Sequence, residues 1–270
     1  MRDYKPPEYA SCSSAKTFLD TMDLDRAQRY EVYFDALRPA TDEEVFRRAL
    51  FAFASVHTTW QSNCALYSRL ATLDWLQNRA RLMVHLSESG AGLHNNRFKY
   101  LWEFAQKFWA HPQWYAKQTY EDWFEYRDRL DKNIKGLGLA KAAFFVELTR
   151  FHDSNVSCFD VHMLKLFGIP AKHYRTKGAS AQFVRWCEQE WAVLCAERNV
   201  SPVTARWCYW DQKQNKLDSR YWSKVLEPNG FDSCGHAAQL LLFPMAELER
   251  ITRTPETQKH RSKATQKRHR

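Results

Sequence analysis

The segment 135–145 constrains the fold of this chain more than any other stretch. It reads Lys-Gly-Leu-Gly-Leu-Ala-Lys-Ala-Ala-Phe-Phe. Gly136 and Gly138 permit positive φ and a close approach of another part of the backbone. The residues that follow, as far as Thr149, are good helix formers with a bulky apolar face. The pattern predicts a tight glycine turn that opens a helix, and the unpaired N–H groups at such a turn suit a phosphate group.

A second informative segment, 158–162, reads Cys-Phe-Asp-Val-His and precedes a predicted helix over 163–167. A carboxylate just before a helix either accepts hydrogen bonds from the first amide groups or is a catalytic group held at the helix start. One side chain can do both. Asp160 is therefore a candidate for a helix cap and for a catalytic residue.

The composition predicts an all-α protein. Among 270 residues there are only 8 Gly and 9 Pro, and runs of helix formers are long. Thr41 and Glu44 have the spacing of a capping box at the start of one helix. The length allows one large domain or two small intertwined ones. Helices are predicted over 14–22, 24–37, 42–54, 62–70, 73 to the 80s, 98–109, 120–130, 140–149, 163–167, 179–198, 202–214, 221–226 and 235–250.

The formal net charge is +9, and residues 253–270 hold seven Lys or Arg against one Glu. We expect this segment to be a disordered basic tail that attracts polyanions without sequence preference, or that only keeps the protein in solution. The body is mildly basic. No apolar stretch is long enough to span a membrane and the N-terminus lacks a signal-like core, so we expect a protein of the cytoplasm or nucleoid.

Seven cysteines are scattered along the chain and none forms a Cys-x-x-Cys pair. Reduced, mostly buried thiols are expected. The four late cysteines raise the question of an iron–sulfur cluster, but their spacings are far wider than compact cluster loops use. We therefore expect no metal and no cofactor. These four are Cys187, Cys195, Cys208 and Cys234.

The order of four short segments is more informative than any one of them. A predicted helix ends in Ser-Val-His-Thr-Thr-Trp at 55–60, and Gly-Leu-His-Asn-Asn-Arg at 92–97 opens another. The glycine turn follows with Ala142 four residues after its second glycine, and Asp160-x-His162 comes about twenty residues later. In this order the segments resemble the helix-hairpin-helix (HhH-GPD) DNA glycosylase superfamily, over roughly residues 42–168.

The resemblance implies a two-lobed helical fold that flips a modified or damaged base out of duplex DNA. Asp160 would be the catalytic carboxylate, and Gly136 and Gly138 would bind a DNA phosphate through the backbone. His57 matches the residue that fills the space left by the base, with Trp60 beside it; the alternative is an exposed turn residue next to a core anchor. Further phosphate contacts are expected from four cations, unless each is only a solvated surface charge: Arg97, Lys99, Lys135 and Lys141.

The chain departs from the family pattern at the hairpin. Ala140 stands where members with lyase activity carry a Schiff-base lysine, although a one-residue slip would bring Lys141 to that position. Lys135 replaces the usual Pro, Cys158 and Phe159 replace a frequent Pro-Val, and the compact four-cysteine cluster of some members is missing. A monofunctional glycosylase is thus expected first. A phage-type amino acid:DNA transferase, which modifies an activated hydroxymethyluracil, is the alternative, and a non-catalytic DNA-binding module is the third.

The same resemblance predicts the domain organisation. Residues 1–41 would be an arm packed on the C-terminal lobe, and residues 42–155 a helical barrel that includes the hairpin. Residues 156–250 would form the C-terminal lobe that carries Asp160, and residues 251–270 the basic tail. The expected partner is duplex DNA, with the protein acting as a monomer and away from membranes.

Overall fold

A computed structural model describes residues 4–36, 38–58, 60–149, 154–170 and 181–213. Within these ranges the chain is all-α and contains no strand, which confirms the predicted fold class. Its α-helices are α1 (Ser13–Thr21), α2 (Leu24–Ala36), α3 (Asp42–Ala54), α4 (Trp60–Leu70), α5 (Arg79–Glu88), α6 (His94–Ala110), α7 (Trp123–Asn133), α8 (Leu139–Thr149), α9 (Val161–Leu166), α10 (Ala181–Ala196) and α11 (Pro202–Lys213). Two short 3₁₀ helices cover Asp74–Leu76 and Pro112–Tyr115.

Helix α3 lies at the centre of a group of helices that also contains α4 and α6. Its start is fixed by the predicted capping box, in which the Thr41 side chain accepts from the Glu44 amide and the Glu44 carboxylate accepts from the Thr41 amide. Eight of its thirteen residues are buried, and it packs against α4, α6 and α8. A helix that is apolar on most of its circumference belongs in the middle of a bundle, and α3 occupies that place.

Helix α8 joins this group to the C-terminal helices. Its last eight residues are buried, and α8 packs on both α3 and α7. The ring of Phe144 lies 5.9 Å from Phe51 of α3 and 6.0 Å from Trp207 of α11. A single hydrophobic core therefore runs through the described part of the chain.

The N-terminal helices pack on the last two described helices, α1 against α10 and α2 against α11. The Phe18 ring stacks at 6.3 Å on Trp191, and the carboxylate of Asp211 accepts hydrogen bonds from Tyr30 and, at 3.0 Å, from Arg26. The N-terminal helices α1 and α2 thus contact helices that are distant in the sequence, α10 and α11.

Several helix boundaries differ from the prediction. The helix expected from Leu73 through the 80s is broken in two, because Leu73 adopts a left-handed conformation (φ +58°) and Asn78 caps a new helix. Helix α6 begins at His94, four residues before the expected start. The helices predicted over 221–226 and 235–250, and the basic tail, lie outside the described residues. In the ranges that are described, no helix is both long and apolar enough to cross a membrane.

Candidate functional site

The glycine turn joins α7 to α8 and packs on α6. Helix α7 ends at a buried Ile134, whose carbonyl accepts from the Leu137 amide at 3.2 Å. Gly136 has a φ of +93°, and a Cβ at this position would lie 2.7 Å from Cδ2 of the Tyr100 ring. Only glycine satisfies both conditions. Gly138 differs, since no heavy atom lies within 4 Å of a Cβ built there.

The start of α8 presents unpaired amide groups at this turn. The amides of Lys141 and Ala142 both donate to the Gly138 carbonyl, at 2.8 and 2.9 Å. The preceding amides, of Leu139 and Ala140, have no carbonyl of an earlier helical turn to bond. Gly138 is exposed, so this end of the helix dipole faces solvent. The turn therefore has the local geometry that binds a phosphate oxygen through the backbone.

Lys135 at the tip of the turn belongs to a surface charge cluster. Its ammonium group lies 3.1 Å from Oε1 and 3.3 Å from Oε2 of Glu103, and Lys107 donates to the same Oε1 at 2.7 Å. Lys107 and then Lys135 lower the pKa of the exposed Glu103 carboxyl. Exposed ion pairs of this kind are weak and exchange readily. Lys135 can therefore leave Glu103 and form an ion pair with a phosphate group.

Asp160 caps α9. Its Oδ1 accepts from the His162 amide at 2.9 Å and from the Met163 amide at 3.2 Å. No described residue donates to Oδ2, and the side chain is half-buried. The residue thus has the predicted position at a helix start, with one oxygen fixed by the backbone and the other bonded to no described residue.

A buried ion pair holds the segment of chain that leads to Asp160. Arg206 of α11 donates to both carboxylate oxygens of Glu147 in α8, at 2.6 and 2.5 Å. The amide of Cys158, two residues before Asp160, donates to Glu147 Oε1 at 2.6 Å. Burial raises the pKa of Glu147, and Arg206 acts in the opposite direction. The carboxylate of Glu147 therefore connects three segments that are far apart in sequence.

Lys141 and Asp160 both lie close enough to Cys158 to act on its thiol electrostatically. Burial raises the pKa of Cys158 to about 12; Lys141 lowers it in part and Asp160 adds to the rise. The Lys141 ammonium group lies 5.3 Å from the centre of the Phe144 ring, over its face. The side chain of Lys141 is half-buried. An amine and a carboxylate thus act on the same buried thiol with opposite effects on its pKa.

His162, the second residue of the Asp-x-His motif, packs edge-on against the Trp210 ring at 4.7 Å. Burial lowers its pKa, while the Asp160 carboxylate acts in the opposite direction. The imidazole is therefore neutral at pH 7, and its Nδ1 is buried with no hydrogen-bond partner among the described residues.

The prediction made for Arg97 requires a correction. Its side chain is only 4% exposed, and its guanidinium group donates to the carbonyls of Phe53 and Ala54, at 2.9 and 3.1 Å, and to that of Val56. These are the carbonyls at the end of α3, which have no helical partner. The expected phosphate contact is wrong for this arginine, since its donors face the protein interior.

The loop that Arg97 fastens carries His57. This residue is exposed and adopts a positive φ of +49°, which few residues other than glycine tolerate. The Thr58 hydroxyl donates to the Ala54 carbonyl at 3.0 Å. Two segments that the sequence analysis singled out separately, 55–60 and 92–97, thus meet through one guanidinium group. Trp60 is the first residue of α4, and its side chain lies outside the described part.

Comparison with known proteins supports the fold. No family model and no curated protein matches the chain. Two crystal structures from Methanocaldococcus jannaschii are similar. One is an 8-oxoguanine glycosylase/lyase in complex with 15-mer DNA containing 8-oxoguanine (19% identity, TM-score 0.56, covering 74% of this chain and 91% of that one). The other is an 8-oxoguanine DNA glycosylase (18% identity, TM-score 0.56, covering 79% and 90%). At these identities the likeness establishes a shared helical fold.

The hairpin geometry predicts different outcomes for its two glycines. Gly136→Ala should destabilise the protein by about 2 to 4 kcal/mol, because it adds left-handed strain and an overlap with Tyr100. Gly138→Ala, the matched control, should cost less than about 1 kcal/mol, since the space around it is open. Urea unfolding measures both. Equal losses for the two variants would contradict the described turn.

The ion pair behind Asp160 predicts a strong effect of a nearly isosteric change. Glu147→Gln leaves the buried Arg206 charge without its counter-ion and should lower the free energy of unfolding by about 3 to 5 kcal/mol. A double variant, Glu147→Gln with Arg206→Met, removes the orphaned charge and should recover part of that loss. The measurement is urea unfolding at pH 7. A single variant as stable as the wild type would show that the pair is not formed.

Proposed function

We propose that the protein is a DNA-base-acting enzyme, and in the simplest case a monofunctional DNA glycosylase. The observation that carries this proposal is the position of Asp160: it caps α9 with one oxygen, keeps the other available, and is tied through Glu147 to the helix that opens at the glycine turn. The fold shared with two DNA glycosylases supports it. A phosphate grip and a carboxylate on connected elements are what cleavage of a base from DNA requires.

The proposed reaction is hydrolysis of the N-glycosidic bond. As the bond between C1′ and the base nitrogen breaks, its electron pair leaves with the base and the sugar gains oxocarbenium character. The ionised Asp160 carboxylate stabilises that positive charge. A water molecule then adds to C1′ and gives up a proton to the carboxylate; the departing base takes up a proton from solvent, and the carboxylate releases its proton to solvent and is ionised again. Asp160 thereby acts first as an electrostatic stabiliser and then as a general base.

The base must leave the stack before this reaction, which costs a few kcal/mol and opens a void in the duplex. In this proposal the loop of His57 supplies the filling side chain. His57 is exposed, and Arg97 binds the preceding backbone carbonyls from the protein interior. The positive φ of His57 restricts the conformation of the loop. A pre-ordered wedge needs no further ordering when it enters DNA.

A second candidate function is the amino acid:DNA transferase. The half-buried Lys141 favours it: its charge acts on the thiol of Cys158, two residues before Asp160, and an ammonium group can bind the carboxylate of an amino acid. The two functions share the flipped base and differ in its fate. Duplexes that carry a panel of modified bases, followed by mass spectrometry, separate them: release of a base supports the glycosylase, and an added amino-acid mass on an intact strand supports the transferase. No change in any duplex would leave a DNA-binding module.

Asp160→Asn should lower turnover at least about 100-fold, since the neutral amide cannot stabilise the cationic sugar. Asparagine is as good a helix cap as aspartate, so folding and DNA affinity should remain as in the wild type. The matched control is Asp122→Asn, which changes another aspartate cap, at the start of α7. Turnover is measured by base release and affinity by fluorescence anisotropy. Unchanged turnover in Asp160→Asn would remove this residue from the active site.

The hairpin also predicts the absence of a Schiff base. Because Ala140 stands at the start of α8 where a lyase needs its lysine, borohydride should trap no covalent DNA adduct during turnover. Lys141→Gln should likewise leave strand scission unchanged. A trapped adduct that disappears in Lys141→Gln would instead establish Lys141 as the nucleophile and a lyase activity.

A further inference from the structure

Exposed aromatic residues lie along the segment that runs from the end of α6 to the start of α7. Three large aromatic residues between positions 109 and 120 remain in solvent: Trp109 is 41% exposed, Trp114 is 56% and Tyr120 is 81%. Leaving such rings in water forgoes the stabilisation that burial of apolar surface provides. Grouped exposed aromatics commonly mark a binding surface.

Trp114 and Tyr120 border a half-open cavity of about 550 Å³. We call it the aromatic cleft; it is lined by Lys107, Trp114, Tyr115, Gln118, Tyr120, Arg129, Leu130 and Asn133. Its wall contains three aromatic rings, two cations and two amides, and Leu130 is its one aliphatic side chain. The volume falls in the range of small-molecule and cofactor sites. Asp160 is not among the lining residues, so the cleft is separate from the proposed active site.

The Trp114 ring of the cleft is held in place. The Trp114 ring stacks on His111 with centroids 4.0 Å apart and an angle of 18° between the planes. The Arg129 side chain donates to the Trp114 carbonyl, to the Ala116 carbonyl at 2.8 Å, and to both oxygens of Glu121. The segment that carries the rings is thus fastened to α7 and needs little ordering on binding.

The cleft is continuous with the glycine turn. Asn133 lines the cleft and is the last residue of α7, directly before the turn. Lys107 of the cleft and Lys135 of the turn share one acceptor, Glu103 Oε1, at 2.7 and 3.1 Å. The cleft therefore lies next to the turn at which, under the proposed function, a DNA strand binds.

We propose that the aromatic cleft is a second nucleic-acid site, which stacks an unpaired base of a single-stranded stretch next to the strand held by the glycine turn. Aromatic rings beside cations along a backbone-binding element form the surface that binds single-stranded nucleic acid. The near absence of aliphatic groups disfavours an apolar protein segment as the occupant. This proposal rests on DNA binding at the turn, and it assigns no chemical step to the cleft.

The test compares a fully paired duplex with the same duplex that carries a single-stranded thymidine overhang, by fluorescence anisotropy on the full chain. The wild type should bind the overhang duplex more tightly. Trp114→Ala and Tyr120→Ala should each weaken that binding about 5- to 100-fold, from the loss of one stacking contact. Affinity for the fully paired duplex should stay unchanged. Tyr120→Phe keeps the ring and should retain wild-type affinity, as should Tyr9→Ala, an exposed aromatic on the N-terminal arm.

Two results would overturn the proposal: overhang and paired duplexes binding equally well, or Trp114→Ala and Tyr120→Ala both retaining the preference. Thermal unfolding of each variant checks that these exposed positions leave the fold intact. The outcome is separable from that of the proposed function, because base release is measured independently. A protein that prefers overhangs through the cleft but releases no base would retain the second site and lose the glycosylase.

Discussion

The buried pair between Glu147 and Arg206 is the interaction on which the geometry of the site depends. Two charges in a protein interior are tolerated only when their hydrogen bonds are satisfied. Here Glu147 accepts from Arg206 twice and from the Cys158 amide once, all at 2.5 to 2.6 Å. Those donors come from α11 and from the segment that ends at Asp160. The position of the carboxylate at the head of α9 is therefore fixed by the same helix, α8, that begins directly after the glycine turn.

Arg97 does for the His57 loop what Arg206 does for the Asp160 segment. Each guanidinium group is buried, and each fastens a segment that is remote in sequence: Arg97 bonds carbonyls 43 and 44 residues away, and Arg206 a carboxylate 59 residues away. Guanidinium is suited to this work because its planar donors can serve several acceptors at once. In a protein expected to bind DNA, a cation near a motif invites interpretation as a phosphate contact, and for Arg97 that interpretation failed.

The sequence predicted the fold class and the order of the site segments, and it did so where the signals are local. The capping box of Thr41 and Glu44 is readable, and the same signal at Asp122 and Glu125 would have placed the start of α7 correctly. The break at Leu73 carries no such signal, since a left-handed leucine is imposed by its surroundings. Long-range partners such as Glu147 and Arg206 could not be predicted, because nothing in either neighbourhood records the other.

The aromatic residues show how composition can mislead about a site. An abundance of Trp and Tyr invites assignment to a pocket for a flipped base, yet Trp75, Trp191 and Trp207 are almost fully buried and build the core. Their number is explained by the packing of helices, which large rings fill efficiently. The informative aromatics are the few that the core does not absorb. Two of those, Trp114 and Tyr120, line one cleft in the segment between α6 and α7, so exposure, and not abundance, marks the surface where we propose that a nucleobase stacks.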